Sequence, residues 1–144
     1  MILGMKKLTF EPNRHYPTLR SLLYSLRLAL RGYVEIKFTH ESKYILGDSD
    51  QFDWNKLYGM GNIWRFGKWR KEQFWAWRYL PLTDNFEVVK YYREGGHIRW
   101  GEIVTVQTNE EKILHNVWFS LPIPLPTYFG GNRRTPNKIE ILVK

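Results

Sequence analysis

Side chains that commonly ligate metals or act as nucleophiles are few in this sequence, and their spacing forms no catalytic pattern. The chain has no cysteine, which excludes disulfides, thiolate catalysis and cysteine-based zinc or iron–sulfur sites. The four histidines lack the i, i+4 spacing that lets a helix offer two ligands to one zinc: His15, His40, His97 and His115. No GxSxG motif is present, and the glycine turns at 59–62 and 130–132 match neither a P-loop nor a dinucleotide fingerprint. The sequence therefore predicts a non-catalytic protein that needs no metal and no cofactor.

One acidic stretch, GDSDQFDWN at 47–55, gathers several oxygen ligands: Asp48, Asp50, Asp53 and Asn55. Calcium prefers such ligands, but an EF-hand loop needs glycine at its sixth position and glutamate at its twelfth, where Asp53 and Gly59 stand. Short Asp and Asn side chains also bond their own backbone in turns. The pattern favours a capped turn, with a calcium loop as the alternative.

Aromatic and basic residues are densest in WRFGKWRKEQFWAWRY, at 64–79, and the two halves of this stretch predict different roles. In the second half aromatic residues alternate, so that Trp75, Trp77 and Tyr79 share one face of a strand. Large rings on one face favour burial in a core, because each removes much apolar surface from water. We expect these three residues in the core.

The first half, WRFGKWRK at 64–71, interleaves cations with rings and contains no acid. A base stacked on an exposed ring gains about 1–3 kcal/mol, and nearby Lys or Arg adds phosphate neutralisation. Tryptophan and arginine also anchor protein interfaces, so an acidic protein is a candidate partner. The alternative is a structural role, in which the loop packs its rings against the sandwich and leaves its cations in solvent. Together with weaker companions further along the chain, the predicted binding residues are Trp64, Arg65, Lys68, Trp69, Arg70, Lys71, Arg99, Trp100, Arg133 and Arg134.

Composition points the same way. The formal net charge is +8, and the chain has 7 Trp, 9 Tyr and 8 Phe, which together favour a polyanionic or acidic partner. The apolar run before Lys6 is too short for a signal peptide, and no run approaches the length of a membrane span. We expect a cytoplasmic protein with no membrane partner.

The elements that must position these residues are mostly strands. Residues 17–31 predict one amphipathic helix, whose leucines at i, i+3, i+4, i+7 and i+11 would face the core: Leu19, Leu22, Leu23, Leu26 and Leu30. Strands are predicted at 33–40, 87–92, 97–106, 112–120 and 138–143, with a hairpin turn at Glu94-Gly95-Gly96. The prolines of 121–126 predict an edge strand or an extended linker. This pattern predicts one mainly β domain, 1–144, built as a β-sandwich or jelly-roll-like barrel with a short N-terminal helix.

Four segments together resemble a family of small, mostly uncharacterised β-rich proteins of Bacteroidota and their phages: PNRHYP, KFTHESKY, DQFDWNKLYG and PTYFGGNRRTPNKIEI. The most specific parts are a DxNKLxG core, here from Asp53 to Gly59, and an FGGN turn at 129–132. The family typically continues with Ala-Pro-His-Asp, where this chain has Thr135-Pro136-Asn137-Lys138. The resemblance implies a phage or mobile-element context, in which small basic proteins often bind host machinery in the host cytoplasm.

These observations lead to one expected function and two alternatives. We expect a non-catalytic binding protein whose basic aromatic surface binds nucleic acid or a host nucleoprotein, for example in an anti-CRISPR-type role. Exposed tryptophans also stack on sugar rings, so a carbohydrate-binding module that binds a glycan is the second hypothesis. A virion structural or assembly protein is the third.

Overall fold

Two antiparallel β-sheets pack face to face as a sandwich in the computed structural model, which describes residues 4–62, 70–116 and 123–144. In chain order the elements are β1 (Lys6–Phe10), α1 (Leu19–Leu28), β2 (Tyr33–Phe38), β3 (Asn55–Gly61), β4 (Lys71–Leu80), β5 (Asn85–Glu94), β6 (His97–Trp100), β7 (Val104–Val106), β8 (Glu111–His115), β9 (Ile123–Leu125) and β10 (Ile139–Val143). One sheet has the order β1-β10-β2-β8, and the other has the order β6-β5-β4-β3-β9 with β7 also paired to β5. The predicted sandwich with one short helix is confirmed.

The core between the sheets follows from the alternation of the strands. Every second residue of β2 is buried, and Phe38 stacks on Phe86 and Trp77 of the other sheet at ring-centroid distances of 4.5 and 5.3 Å. Trp77 and Tyr79 are buried in the same core, and the partly buried Trp75 packs against it. The prediction that the second half of the aromatic stretch lines the core is confirmed.

The opposite face of β4 is buried too, which the alternation alone did not predict. Phe74 and Ala76 join Val89, Tyr91 and Leu125 in a second, smaller cluster on the outer side of the six-stranded sheet. Trp54 packs over this cluster from the segment that precedes β3. The six-stranded sheet therefore has an apolar layer on both faces, and the outer layer lies under the site described below.

The hairpin and the proline-rich edge lie where the sequence predicts them. Gly95 and Gly96 connect β5 to β6 with φ values of 55° and 89°, a left-handed turn that favours glycine. The predicted strand 97–106 is divided into β6 and β7, which both pair with β5. In the proline-rich segment, Ile123–Leu125 forms the edge strand β9 beside β3, whereas 121–122 lie outside the described residues.

The helix is present, but the prediction of its buried face is wrong. α1 buries Ser21, Ser25 and Leu28, whereas Leu19 and Leu23 are 71% and 53% exposed. Of the other predicted core leucines, Leu22 and Leu26 are half-buried, and Leu30, beyond the helix, is exposed.

The reason for the reversal is that α1 covers the outer edge of β1, where it approaches through small side chains. The Ser21 hydroxyl accepts a hydrogen bond from Thr9 N at 2.8 Å and donates to Lys7 O at 3.3 Å. Natural sheets often protect an edge strand in this way, by covering it with a helix. Within the part of the chain that the structure describes, no helix has the length and apolar character needed to cross a bilayer.

Candidate functional site

The predicted binding residues that the structure describes do not form one patch. Trp64, Arg65, Lys68 and Trp69 lie outside the described residues. Arg70 and Trp100 belong to the outer face of the six-stranded sheet, at two different cavities. Lys71 and Arg99 point to the other face, because each alternates with an outward neighbour along its strand.

Lys71 and Arg133 are engaged with carboxylates. Lys71 pairs with Glu94 at 3.6 Å across the β4–β5 ladder. Arg133 pairs with Asp48 and, at 3.9 Å, with Asp50, so the acidic loop holds this cation itself. The Asp48 carboxylate also accepts a hydrogen bond from Asp50 N at 3.0 Å, which is the capped turn that the sequence favours. Arg134, the next residue after Arg133, is exposed.

A continuous depression crosses the outer face of the six-stranded sheet, and we call it the outer groove. It consists of two adjoining cavities of about 270 and 410 Å³, which share Lys56 and Tyr128. The first cavity is lined chiefly by Trp54, Lys56, Tyr91, Arg93, Trp100 and Tyr128. The second continues past Tyr16, Arg70, Glu72 and Phe74.

Lys56 is the cation at the junction of the two cavities. Its ammonium lies 4.6 Å from the ring centroid of Phe74 and 6.0 Å from that of Tyr128. No carboxylate of the described residues lies within salt-bridge distance of it. Burial lowers the pKa of Lys56. The positive charges of Arg93 and Arg70 lower that pKa further, and the negative charge of Glu72 opposes them. Because a partly desolvated ammonium is costly without a counter-charge, this position favours an incoming anion.

Arg93 is the second cation of the first cavity. It stands directly opposite Glu72 in the β4–β5 register, but the Glu72 carboxylate pairs with Arg70 at 3.0 Å instead. Among the residues in view, Arg93 forms no ion pair of its own. Two cations therefore face the same small cavity, and no carboxylate of the described segments forms an ion pair with either.

Aromatic rings form the walls of the outer groove. Trp100 is 52% exposed and lies 5.1 Å from Tyr91 and 6.0 Å from Trp54, measured between ring centroids. The Arg78 guanidinium covers Trp54 at 4.1 Å, which holds that indole in place. On the other wall, Tyr128 stacks on His15 with centroids 4.9 Å apart and planes within 2°.

The base of the groove is where the two motifs of the resemblance meet. Asn55, which is buried, accepts a hydrogen bond from Gly130 N at 2.6 Å and donates one to the Tyr44 hydroxyl at 2.9 Å. Lys56 and Tyr128 exchange two backbone hydrogen bonds at 2.8 and 2.9 Å. The DxNKLxG segment thus carries the FGGN turn on its own backbone, and this junction fixes Lys56 against Tyr128.

Two glycines of these motifs have a clear steric reason. A Cβ on Gly59 would come within 2.1 Å of Gln73 O and 2.7 Å of the Phe74 ring, so only glycine lets Phe74 lie over β3. Gly130 has φ of +70°, and a Cβ there would lie 2.5 Å from Arg133 O. Both glycines shape the groove from below.

Sequence reasoning missed most of the residues that line the groove: Trp54, Lys56, Tyr91, Arg93 and Tyr128. A signal for two of them was present, because alternation in FEVVKYYR places Tyr91 and Arg93 on one face of β5. The basic, acid-free run at 64–71 led to the prediction of a neighbouring segment as the binding site instead. Comparison of the chain with protein-family models, curated protein sequences and solved structures finds no match.

Proposed function

We propose that the protein is a non-catalytic binding protein that holds single-stranded nucleic acid in the outer groove. The observation that carries this proposal is the pair of cations, Lys56 and Arg93, that share a cavity with the exposed ring of Trp100 and form no ion pair with any described carboxylate. Lys56 and Arg93 would each take a phosphate, and the exposed ring of Trp100 would stack a base. Ring and cation together are the usual chemistry of sequence-tolerant single-strand binding.

The groove suits a single strand better than a duplex. Its rings line a cavity of about 270 Å³, a size that suits one unstacked base, and unstacked bases are available in single strands rather than inside a duplex. The net charge of +8 adds long-range attraction for a polyanion. The resemblance to proteins of phages supports a host nucleoprotein as the natural source of the strand.

A carbohydrate is the second candidate, and the exposed indole of Trp100 beside Tyr91 favours it. A sugar ring stacks on such a surface, but a neutral glycan has no use for Lys56 and Arg93. The two candidates therefore differ in which residues binding requires.

The test is a titration of a labelled single-stranded RNA of about twenty nucleotides, followed by anisotropy at several salt concentrations. The double variant Lys56→Met/Arg93→Met should weaken binding at least tenfold and reduce the log–log salt slope by about 1.4, since each contact contributes about 0.7 for a single strand. The control Lys71→Met/Arg99→Met removes the same charge from the other face of the sheet and should change binding little.

Equal losses in the two double variants would mean that net charge, and not the outer groove, drives binding. If the wild-type protein binds no RNA at low salt, the proposal fails. Binding of a neutral oligosaccharide that Trp100→Ala abolishes and Lys56→Met/Arg93→Met leaves intact would establish the second candidate in its place.

A further inference from the structure

A second groove lies between α1 and β1, and its character differs from that of the outer groove. Its volume is about 850 Å³, and its lining shares no residue with either cavity of the outer groove. Leu19 and Leu23 form the apolar part of the wall, and we call this site the helix groove. Both leucines are more than half exposed, because α1 packs through Ser21, Ser25 and Leu28.

The exposed leucines continue along the chain at helical spacing. Leu19, Leu23 and the half-buried Leu26 are followed by the exposed Leu30, at i, i+4, i+7 and i+11. An apolar stripe that its own fold leaves in water marks an interaction site more often than chance exposure does. Its spacing is that of a helix-packing seam, which a second helix would complete.

Of the described residues that line the helix groove, all the charged ones are basic. Lys6, Arg20 and Arg27 line it, and Lys7, which also lines it, pairs with Glu140 at 3.1 Å. The sequence has no acidic residue between Glu11 and Glu35. Lys6 and Arg31 lie over the ring of Tyr24 at 4.8 and 5.5 Å, so this part of the rim is held in place. A partner that buries the leucines must bring carboxylates to these cations.

The form of the partner follows from the edge of β1. Thr9 N and Lys7 O already bond Ser21, and Thr9 O accepts a hydrogen bond from Thr18 N at 2.8 Å. These occupied groups leave no place for an added strand. A second copy of the chain would bring like charges against Arg20 and Arg27, which opposes self-association through this face.

We propose that the helix groove binds an acidic amphipathic helix of a partner protein. The partner helix would lay leucine-like side chains against Leu19 and Leu23 and place Asp or Glu opposite Arg20 and Arg27. Such helix-in-groove recognition is common where an apolar seam has a charged border. The site is separate from the outer groove, so the protein would connect a nucleic acid to an acidic protein.

The test uses a labelled peptide of about sixteen residues, about 24 Å long as a helix, with leucines at i, i+4, i+7 and i+11 and glutamates elsewhere on the flanks. The wild-type protein should bind it with micromolar affinity. Leu19→Ser/Leu23→Ser and Arg20→Glu/Arg27→Glu should each weaken binding at least tenfold. A peptide of the same composition with a scrambled stripe should not bind. Leu19→Ser/Leu23→Ser, which leaves the charge unchanged, should bind single-stranded RNA within about threefold of wild type.

Several results would overturn the proposal. Equal binding of the striped and scrambled peptides would reduce the effect to charge alone, and no binding of the striped peptide would remove the site. Binding of phosphatidylglycerol vesicles in preference to the peptide would make the helix groove a lipid surface. A wild-type dimer in sedimentation that Leu19→Ser/Leu23→Ser converts to a monomer would assign the stripe to a second copy. Because the RNA titration is read separately, failure here leaves the proposed function standing, and the reverse also holds.

Discussion

The charge of Lys56 costs free energy in the fold and would favour the binding of the proposed anion. The Lys56 ammonium is partly desolvated between the rings of Phe74 and Tyr128, and the two arginines beside it disfavour its charge further. A phosphate in the cavity would supply the missing counter-charge. The free protein carries the desolvation penalty, and a bound phosphate would reduce it.

This reasoning predicts a pH dependence of binding. A bound phosphate favours the ammonium form, so it raises the pKa of Lys56, which burial holds below the ordinary lysine value in the free protein. Affinity should be full below the lowered pKa and should fall as pH rises through it, before ordinary lysines titrate. The measurement is anisotropy with an oligodeoxyadenylate, because RNA hydrolyses in alkali.

The matched control is Lys56→Arg, since arginine stays charged throughout this range. It should bind the oligonucleotide and lose the alkaline decline. A decline of the same size in Lys56→Arg would assign the titration to another group and would contradict the role of Lys56.

Asn55 is the residue that joins the two motifs, and its removal should be expensive. Asn55→Ala leaves Gly130 N and the Tyr44 hydroxyl without these partners in a buried place, at a cost of about 1–3 kcal/mol in the free energy of unfolding. Urea denaturation measures this cost. The control is Asn137→Ala, an exposed amide, which should change stability by less than about 0.5 kcal/mol. Equal effects would mean that the Asn55 bonds contribute little.

At the scale of elements, sequence reasoning succeeded where a strand has one buried face. The alternation in β2 and in the second half of β4 predicts the inward residues Val34, Ile36, Trp75 and Trp77, and a two-glycine turn predicts the β5–β6 hairpin. It failed where a second layer covers the outer face, because Phe74 and Tyr91 look like outward residues of a one-sided sheet. Arg70 and Trp100 were predicted from their residue types alone. Placing Lys56 and Arg93 in the same groove requires the register of three strands, which the sequence does not give.

The face of α1 was mispredicted for a related reason. Periodicity identifies the apolar stripe of a helix, but it does not show whether that stripe faces the protein or a partner. Here the backbone groups at the free edge of β1 need hydrogen-bond partners close by, and the Ser21 hydroxyl bonds two of them. The packing face therefore carries the two small serines, Ser21 and Ser25, together with Leu28.

Two substitutions in α1 test this orientation against ordinary expectation. Ser25→Leu places a large side chain at a fully buried position and should destabilise the protein by about 1–3 kcal/mol. Leu19→Ser changes an exposed position and should alter stability by less than about 0.5 kcal/mol. Thermal and urea unfolding measure both. If Leu19→Ser were the more destabilising change, the leucine stripe would face the core as first predicted.

Over the whole molecule, ion pairs within the fold help to decide which positive side chains remain available to a partner. Several cations are held by near carboxylates: Lys43 by Asp84, Lys71 by Glu94, Arg78 by Glu87 and Arg133 by Asp48. Among the described cations that form no ion pair, Lys56 and Arg93 line the outer groove, and Arg20 and Arg27 line the helix groove. Part of the net charge of +8 therefore lies at two separate grooves.

Both grooves depend on the two sheets holding together, and Phe38 is the clearest link between them. It is fully buried on β2 and stacks on Phe86 and Trp77 of the other sheet. Phe38→Ala should lower the free energy of unfolding by about 3–5 kcal/mol, because it removes both ring contacts and leaves a cavity. Tyr33→Ala, on the same strand but 54% exposed, should change it by less than about 0.5 kcal/mol.

Tryptophan fluorescence and far-ultraviolet circular dichroism should give one coincident urea transition in both variants, since one core joins the sheets. Two separated transitions in Phe38→Ala would show that each sheet is stable without the other.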